Sequence, residues 1–410
     1  MFQLPDNVAF IIKKLQKNGY EAYAVGGCVR DSVINKQPND WDITTSALPE
    51  QIKNTFCGMR TVDTGIKHGT VTVLLNGIGY EVTTYRTDGA YSDHRRPDSV
   101  EFVNNLRLDL ERRDFTINAM ASNDGLEIID YFGGIDDLNN KTIRCVGDPE
   151  KRFEEDALRI LRALRFASCF DFIIENNTAE AANKLCNTLA MVSAERIFIE
   201  LKKLICGKGA ARIIAEYKDV LLTVLPEIRN VKSAELNALG LVPQTPVYRL
   251  AVLFSIANIS AEEAKNALLR LKSDTQTIIR VCTMLAESRL NVKAEPLFIK
   301  KQLIRLGRDA FLDEFPILKA LDFIVYNSQN ANELDKAENI AIELSKCSCL
   351  KISELNINGN DLKSVGINGR DIGYTLNRLL ELVAEEKLKN DAQELLRMAK
   401  LLRDEKATAT

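Results

Sequence analysis

Two aspartates one residue apart stand in the segment Asn39-Asp40-Trp41-Asp42-Ile43-Thr44. If Asp40–Ile43 lies on a strand, residues two apart point to the same face and both carboxylates converge on one point. Unpaired carboxylates side by side repel, and a divalent cation between them removes the repulsion; hard oxygen ligands suit Mg²⁺. Taken alone, an Asp-x-Asp is as readily the polar face of an edge strand. Just upstream, Val25-Gly26-Gly27-Cys28-Val29-Arg30-Asp31 has the form of a strand running into two glycines and a helix start. Without Cβ atoms, glycines let backbone N–H groups approach a phosphate, and a helix N-terminus favours negative charge. Gly27 would then cradle a triphosphate and Arg30 would clamp it, although Gly-Gly by itself is more often only a turn. A phosphate cradle followed by a two-carboxylate metal site is what two-metal nucleotidyl transfer requires. One ion activates the attacking hydroxyl and the other neutralises the leaving pyrophosphate.

Two further constellations are rich in arginine. Arg112-Arg113-Asp114-Phe115-Thr116-Ile117-Asn118-Ala119, read alone, is a surface ion-pair cluster. In Arg152-Phe153-Glu154-Glu155-Asp156-Ala157-Leu158-Arg159-Ile160-Leu161-Arg162-Ala163-Leu164-Arg165, the apolar Ala157, Leu158, Leu161 and Leu164 mark a helix. Asp156 and Arg159, three apart, project together on it, whereas Asp156 and Arg165 cannot share a face. The ordinary alternative is a solvated face with routine ion pairs.

The elements that must position these residues divide the chain. Between Tyr20 and about Ile143, short β-branched runs alternate with turn residues, and Ala22–Val25, Thr70–Leu75, Tyr80–Tyr85, Glu101–Val103 and Glu127–Asp130 read as strands of a mixed sheet. From Pro149 onward the apolar spacing is helical, as in Ala157–Phe166, Glu195–Ile205, Val247–Ile256, Leu376–Leu388 and Ala392–Leu402. The expected architecture is α+β: a catalytic head over 1–150, then an all-α neck over 151–210, a body over 211–345 and a tail over 346–410. The tail Asp404–Thr410 reads as frayed.

Composition removes several classes. The chain of 410 residues is 46% hydrophobic and 27% charged, the balance of an ordinary globular protein. No stretch reaches the roughly 18 apolar residues of a membrane span, and the amphipathic start is not a signal peptide, so a cytoplasmic protein with no membrane partner is expected. Nine scattered cysteines lack any C-x-x-C pair and read as reduced, mostly core residues. With only His68 and His94 present, a histidine metal site is ruled out and any metal must be held by oxygen. The net charge of −3 argues against indiscriminate nucleic-acid binding but leaves room for a basic stripe.

Gly-Gly-x-Val-Arg-Asp followed by Asp40-x-Asp42 resembles motif A of class II tRNA nucleotidyltransferases, the bacterial-type CCA-adding enzymes of the nucleotidyltransferase and poly(A) polymerase superfamily. The Arg112–Ala119 segment resembles the family's ribose-handling motif B, and Asp130-Tyr131-Phe132-Gly133-Gly134-Ile135-Asp136-Asp137-Leu138 its hinge, motif C. The arginine-rich helix resembles motif D, the protein template for the incoming base. The resemblance is strong over about 20–205, weak through 210–345 and moderate at 352–390.

It implies Mg²⁺-dependent, template-independent addition of the 3′-terminal CCA to tRNA from CTP and ATP, with tRNA held by the 3′ end and acceptor arm. Asp40 and Asp42 would be catalytic and hold the metal. Gly27 and Arg30 would bind the triphosphate; Arg113, with Asp114 and Asn118, the ribose; Asp156 and Arg159 the base. Arg162 and Arg165 would support base or phosphates. The base-reading logic follows from donors and acceptors: a carboxylate accepts and a guanidinium only donates. Cytosine (N4–H₂ beside N3) and adenine (N6–H₂ beside N1) match that pair; guanine and uracil present the reverse. Leaving such groups unpaired costs several kcal/mol, roughly 10³-fold in selection.

Tyr85–Pro97, rich in Gly, Pro and charge, reads as a mobile loop, and the resemblance makes it the lever that switches from C to A. Ser193–Leu201 resembles motif E, which packs the neck. Asn358–Leu362 and Gly366–Gly373 resemble the tail. The basic residues Arg378, Lys387, Lys389, Arg397, Lys400 and Arg403 read as a solvated helix face beside acidic neighbours. Four alternatives stay open: A-only addition, poly(A) polymerisation, a non-catalytic RNA-binding protein, and a glycosyltransferase using Asp-x-Asp. Oligomeric state, monomer or homodimer, has no local motif.

Overall fold

The computed structural model describes residues 2–89, 100–287, 292–326, 328–347 and 349–408. The chain forms two compact units, Met1–Leu236 with Asn266–Thr275, and Asn237–Lys265 with Gln276–Thr410.

The first unit opens with α1 (Asp6–Lys17), whose Val8, Ile11, Ile12 and Leu15 recur at helical spacing and are buried. It continues through β1 (Ala22–Val25), α2 (Gly27–Val33), β2 (Ile43–Thr45), α3 (Pro49–Thr55), β3 (Thr61–Gly65), β4 (Thr70–Leu75), β5 (Ile78–Thr84), β6 (Arg86–Asp88) and β7 (Val100–Phe102). Then come α4 (Leu106–Glu111), β8 (Met120–Ser122), β9 (Ile129–Asp130) and α5 (Gly134–Asn139). One seven-stranded sheet runs β3-β4-β5-β2-β1-β8-β9. Within it β2 and β5 pair in parallel, and every other pair is antiparallel. β6 and β7 form a separate antiparallel ribbon. In β5, Tyr80, Val82 and Thr84 are buried while Glu81 is exposed, the alternation of a strand with one face on the core.

Two short strands, β10 (Thr142–Ile143) and β11 (Ile173–Ile174), pair in parallel. Around them lie α6 (Pro149–Glu155), α7 (Leu158–Phe170), α8 (Asn176–Leu185) and α9 (Ala194–Ile205). α7 packs on α9. The close approach of the segment after α9 to α7 depends on Gly207, where a Cβ would lie 2.1 Å from Ser168 Oγ and 2.5 Å from the Ser168 carbonyl carbon.

The second unit is helical among its described residues, with helices that include Pro246–Ile256, Thr275–Glu287, Pro296–Leu306, Ala331–Cys347 and Arg370–Ala384. One apolar cluster gathers Ile299, Leu303, Phe311, Phe315, Ala337 and Ala341. A second gathers Leu355, Leu362, Leu379, Leu380, Leu395 and Ala399.

The α+β expectation holds. Strands 22–25 and 70–75 fall at the expected residues, and the other three shift by one or two positions. Three expectations need correction. β2 starts at Ile43, so Asp40–Asp42 precede the strand, although the Asp42 carbonyl already accepts the Val25 N–H at 3.0 Å. The last helix runs from Ala392 through Thr408, so 404–408 of the expected frayed tail continue a helix, and the last two residues lie outside the described ones. Of the described cysteines only Cys28 and Cys145 are buried. Residues Ala90–Pro97 of the expected loop, His94 included, lie outside the described residues.

Candidate active site

The carboxylate segment sits where the chain enters β2, the strand between β1 and β5. Asp40 and Asp42 are both exposed, whereas Ile43, Thr44 and Thr45 are buried. The parallel register pairs Ile43 with Val82 and Thr44 with Thr83, which brings Glu81 beside Asp42. A cleft of about 190 Å³ opens there, lined by Asp42, Glu81, Thr83, Arg86, Arg112 and Arg113 among others. Loss of water around the Asp42 carboxyl pushes its pKa above the usual carboxylate range. The Arg113 charge opposes that rise, while Asp40 and Glu81 add to it. Asp42 keeps a solvent-facing edge. Crowded, partly desolvated oxygens with no nitrogen or sulfur donor fit a hard divalent cation. Among the described residues no three acidic, histidine or cysteine side chains are gathered as a closed metal cage, so the donor set is open.

Glu81 was missed in the sequence reading. The sequence offered only a lone carboxylate within the predicted 80–85 strand; its place beside Asp42 comes from the β2–β5 pairing.

At the Gly-Gly turn, Gly26 adopts φ +81°, and a Cβ there would lie 2.8 Å from an Arg113 guanidinium nitrogen. Glycine is thus required twice over, by backbone sign and by the approach of Arg113. Gly27 begins α2. Arg30 is buried; it donates to Asn118 Oδ1 at 2.6 Å and to Asp31 Oδ1 at 2.8 Å. Its guanidinium also lies over Phe170 and Phe166, 4.8 and 5.2 Å from the ring centroids. Arg30 therefore enters the site already committed to an internal network, beneath the glycine turn.

Asp114 is the keystone between sheet and neck. Arg162 donates to its Oδ2 through Nε at 2.8 Å and a terminal nitrogen at 2.5 Å, while Asn118 and the Phe115 N–H donate to Oδ1. Burial would raise this carboxyl, but the Arg162 charge and these hydrogen bonds hold it well below the usual range. Arg165 donates to the buried Glu200 of α9 at 2.7 Å and lies 3.6 Å from the Phe166 centroid. Arg162 also faces Glu200 at 3.8 Å and Phe166 at 5.4 Å.

Asp156 departs from expectation. It is not on the helix with Arg159: α6 ends at Glu155, and Asp156 is extended, with φ −143° and ψ 102°. Its carboxylate accepts the Leu158 N–H and its carbonyl the Arg159 N–H, as a capping residue does for α7. A run of apolar residues at helical spacing conceals such a break because the period resumes one turn later. Asp156 Oδ2 accepts from Arg196 of α9 at 2.7 Å, and Arg159 donates to Glu155 at 2.6 Å and to the Arg112 carbonyl at 3.1 Å. The two base-reading candidates are thus each held by a third residue. Arg196, within the segment assigned only to neck packing, was missed as a site residue.

A sheet head that offers an open carboxylate pair, followed by an arginine-rich helical neck, defines a nucleotidyltransferase. Residues 22–144 match the poly A polymerase head domain, 171–231 the RNA and SrmB-binding site of polymerase A, and 244–399 tRNA nucleotidyltransferase domain 2. The CCA-adding enzyme of Ligilactobacillus salivarius is 38% identical over 97% of this chain and 96% of its own length. That of Enterococcus faecalis is 37% identical over 95% and 94%. A crystal structure of the Bacillus stearothermophilus CCA-adding enzyme with CTP superposes with a TM-score of 0.80 at 29% identity, covering 98% of both chains. The chain belongs to the CCA-adding enzyme family.

Proposed function

We propose that this chain builds and repairs the 3′-terminal CCA of tRNA from CTP and ATP, with the order of addition set by the protein. The observation that carries this reading is the tie between the α6–α7 junction and the carboxylate cleft. Arg159 donates to the carbonyl of Arg112, and Arg112 and Arg113 line the cleft with Asp42. A base read at the junction then belongs to the nucleotide whose triphosphate faces Asp40 and Asp42.

Those two aspartates would hold Mg²⁺, which when bound neutralises the triphosphate and activates the primer hydroxyl. Gly26 and Gly27 leave backbone room for phosphates, and Arg113 meets phosphate or ribose from across the turn. Arg30, Asn118 and Asp114 form a linked floor that fixes Arg162. Asp156 accepts from the exocyclic amine of C or A, and Arg159 donates to the adjacent ring nitrogen. Because Arg196 and Glu155 already hold this pair, its geometry is set before the nucleotide arrives. Arg162 and Arg165 supply positive potential behind the base and phosphates. The head spans 1–150, the neck 151–210, the body 211–345 and the tail 346–410 contacts tRNA. Among the described residues no helix is long and apolar enough to cross a membrane, and we place the enzyme in the cytoplasm.

The test is extension of tRNA ending before the CCA, with Mg²⁺ and each nucleotide alone and together, read at single-nucleotide resolution. Two additions from CTP alone, and three then a stop with ATP present, support the reading. A ladder from ATP alone makes the chain a poly(A) polymerase, and a single A on a primer ending in CC makes it an A-adding enzyme. Absence of any incorporation refutes nucleotidyl transfer.

A further inference from the structure

One side chain in the head has no solvent exposure, carries a charge and touches no expected substrate group: Asp109, near the end of α4. Burying a carboxylate is costly unless it is paired and hydrogen-bonded, so its partners say what it is for. They come from three separate segments. Its Oδ1 accepts from Arg112 Nε at 3.0 Å, from an Arg112 terminal nitrogen at 2.8 Å and from the Arg86 backbone N–H at 3.4 Å. Its Oδ2 accepts the Thr44 hydroxyl at 3.1 Å and lies 3.6 Å from an Arg113 terminal nitrogen. Thr44 is two residues beyond Asp42, Arg86 opens β6, and the two arginines face the cleft.

We infer that Asp109 is a positioning residue for nucleotide binding: from beneath the cleft it fixes Arg112 and Arg113 at a set distance from the Asp42 strand. This rests on the nucleotidyl-transfer reading above.

The alternative is that Asp109 serves only as a helix-end counter-charge. That does not account for Thr44, which is neutral and sits on the strand that carries the metal candidates. It also leaves Arg113 unexplained. Among the described residues Asp109 is the one carboxylate in ion-pair contact with Arg113, and Arg113 Nε is buried without an acceptor. A guanidinium anchored at one end with an unspent donor at the other is arranged to receive an anion. Without the anchor, Arg112 and Arg113 would repel one another and sample many rotamers, so each binding event would have to order them again.

The test uses the full chain with Asp109→Asn, which preserves shape and removes charge, and Thr44→Val, which keeps the charge and removes one strand contact. Removing partners of this kind typically costs about tenfold or more. The expected result for Asp109→Asn is a rise of about tenfold in KM for both CTP and ATP, with KM for tRNA unchanged; Thr44→Val should raise the same two constants about two- to threefold. Trp41, the single tryptophan, lies between Asp40 and Asp42, so its fluorescence follows Mg²⁺-CTP binding without turnover. Dissociation constants from that signal should move in parallel with KM. If Asp109→Asn fails to fold, Thr44→Val decides. Unchanged nucleotide KM and Kd, or equal losses for nucleotide and tRNA, would overturn the inference. A wild-type chain that binds Mg²⁺-CTP but transfers nothing refutes CCA addition and still leaves Asp109 testable by fluorescence; one that binds no nucleotide overturns both.

Discussion

Asp114→Asn tests whether the sheet and neck are joined by charge. Asp114 is buried and Arg162 is 32% exposed at the side chain. Hydrogen bonds to charged groups contribute about 1.5–3 kcal/mol, and breaking a buried pair from one side costs about 3–5 kcal/mol. Arg162 keeps Glu200 at 3.8 Å and some water, which moves the cost toward the lower end. The asparagine also turns an N–H₂ toward a guanidinium that can only donate, or gives up the Phe115 and Asn118 bonds. A loss of about 2–3 kcal/mol follows, which lowers Tm by about 5–10 °C for a unit of this size.

The pH dependence has a definite sign. The folded carboxyl titrates below its unfolded value near 3.9, so its stabilisation is fully present above that value and is lost as pH falls through the folded pKa. The Tm gap between wild type and Asp114→Asn should therefore stay constant from about pH 8 to 5 and narrow only below about 4. Melting curves of both proteins, of Arg162→Met and of the double variant give the coupling. Additive effects of the two substitutions, a Tm change under about 2 °C, or a gap that closes between pH 7 and 5.5 would refute the reasoning.

Asp42→Asn should abolish nucleotide transfer, with at least about a 10³-fold loss of kcat, yet raise Tm by about 1–3 °C at pH 7 because it removes a crowded charge; exposure keeps the gain small. That carboxyl titrates above its unfolded value, so the thermal gain should appear only as pH rises past about 4, which melting curves at pH 4 and 7 will show. Glu81→Gln should cut kcat/KM by about 10–100-fold at low Mg²⁺, with partial recovery as Mg²⁺ is raised in a titration. Arg196→Ala should loosen the Asp156 carboxylate and raise UTP misincorporation relative to CTP by about tenfold, measured by competition on one tRNA.

The parts of this molecule that were legible in its sequence are those with a period or a fixed offset. Strand β4 alternates and α1 repeats every three to four residues, so both could be placed from pattern. The Asp40-x-Asp42 spacing singled out the segment, but its two-residue strand geometry did not hold, since β2 begins only at Ile43. Register is another matter: Glu81 and Asp42 are 39 residues apart, and only the parallel pairing of β2 with β5 brings them together. Asp156 was misplaced because the helical signal on either side of it is continuous, while the break depends on where its carboxylate finds N–H partners. Arg196 and Glu200 lie on an ordinary amphipathic helix, and their partners, Asp156 just before α7 and Arg162 and Arg165 on it, are set by tertiary packing alone. The Arg30 guanidinium was expected to clamp the triphosphate; its stacking on Phe166 and Phe170 depends on where α7 crosses, which no local pattern encodes.

The ring of Phe166 has three guanidinium groups around it, from Arg30, Arg162 and Arg165, and is stacked on Phe170 at a centroid distance of 6.0 Å. An aromatic face attracts cations through its quadrupole, whose field dies away faster with distance than that of a carboxylate. Phe166 can therefore draw the three cations together without adding a further negative charge to the carboxylates that already pair them, Asp31, Asp114 and Glu200. In a chain whose formal charge is −3, this lets a small region remain attractive to polyphosphate and RNA backbone while the surface as a whole does not. The ring contact itself does not titrate, so when Asp31, Asp114 and Glu200 are protonated and their ion pairs are lost, this part of the arginines' anchorage is what remains.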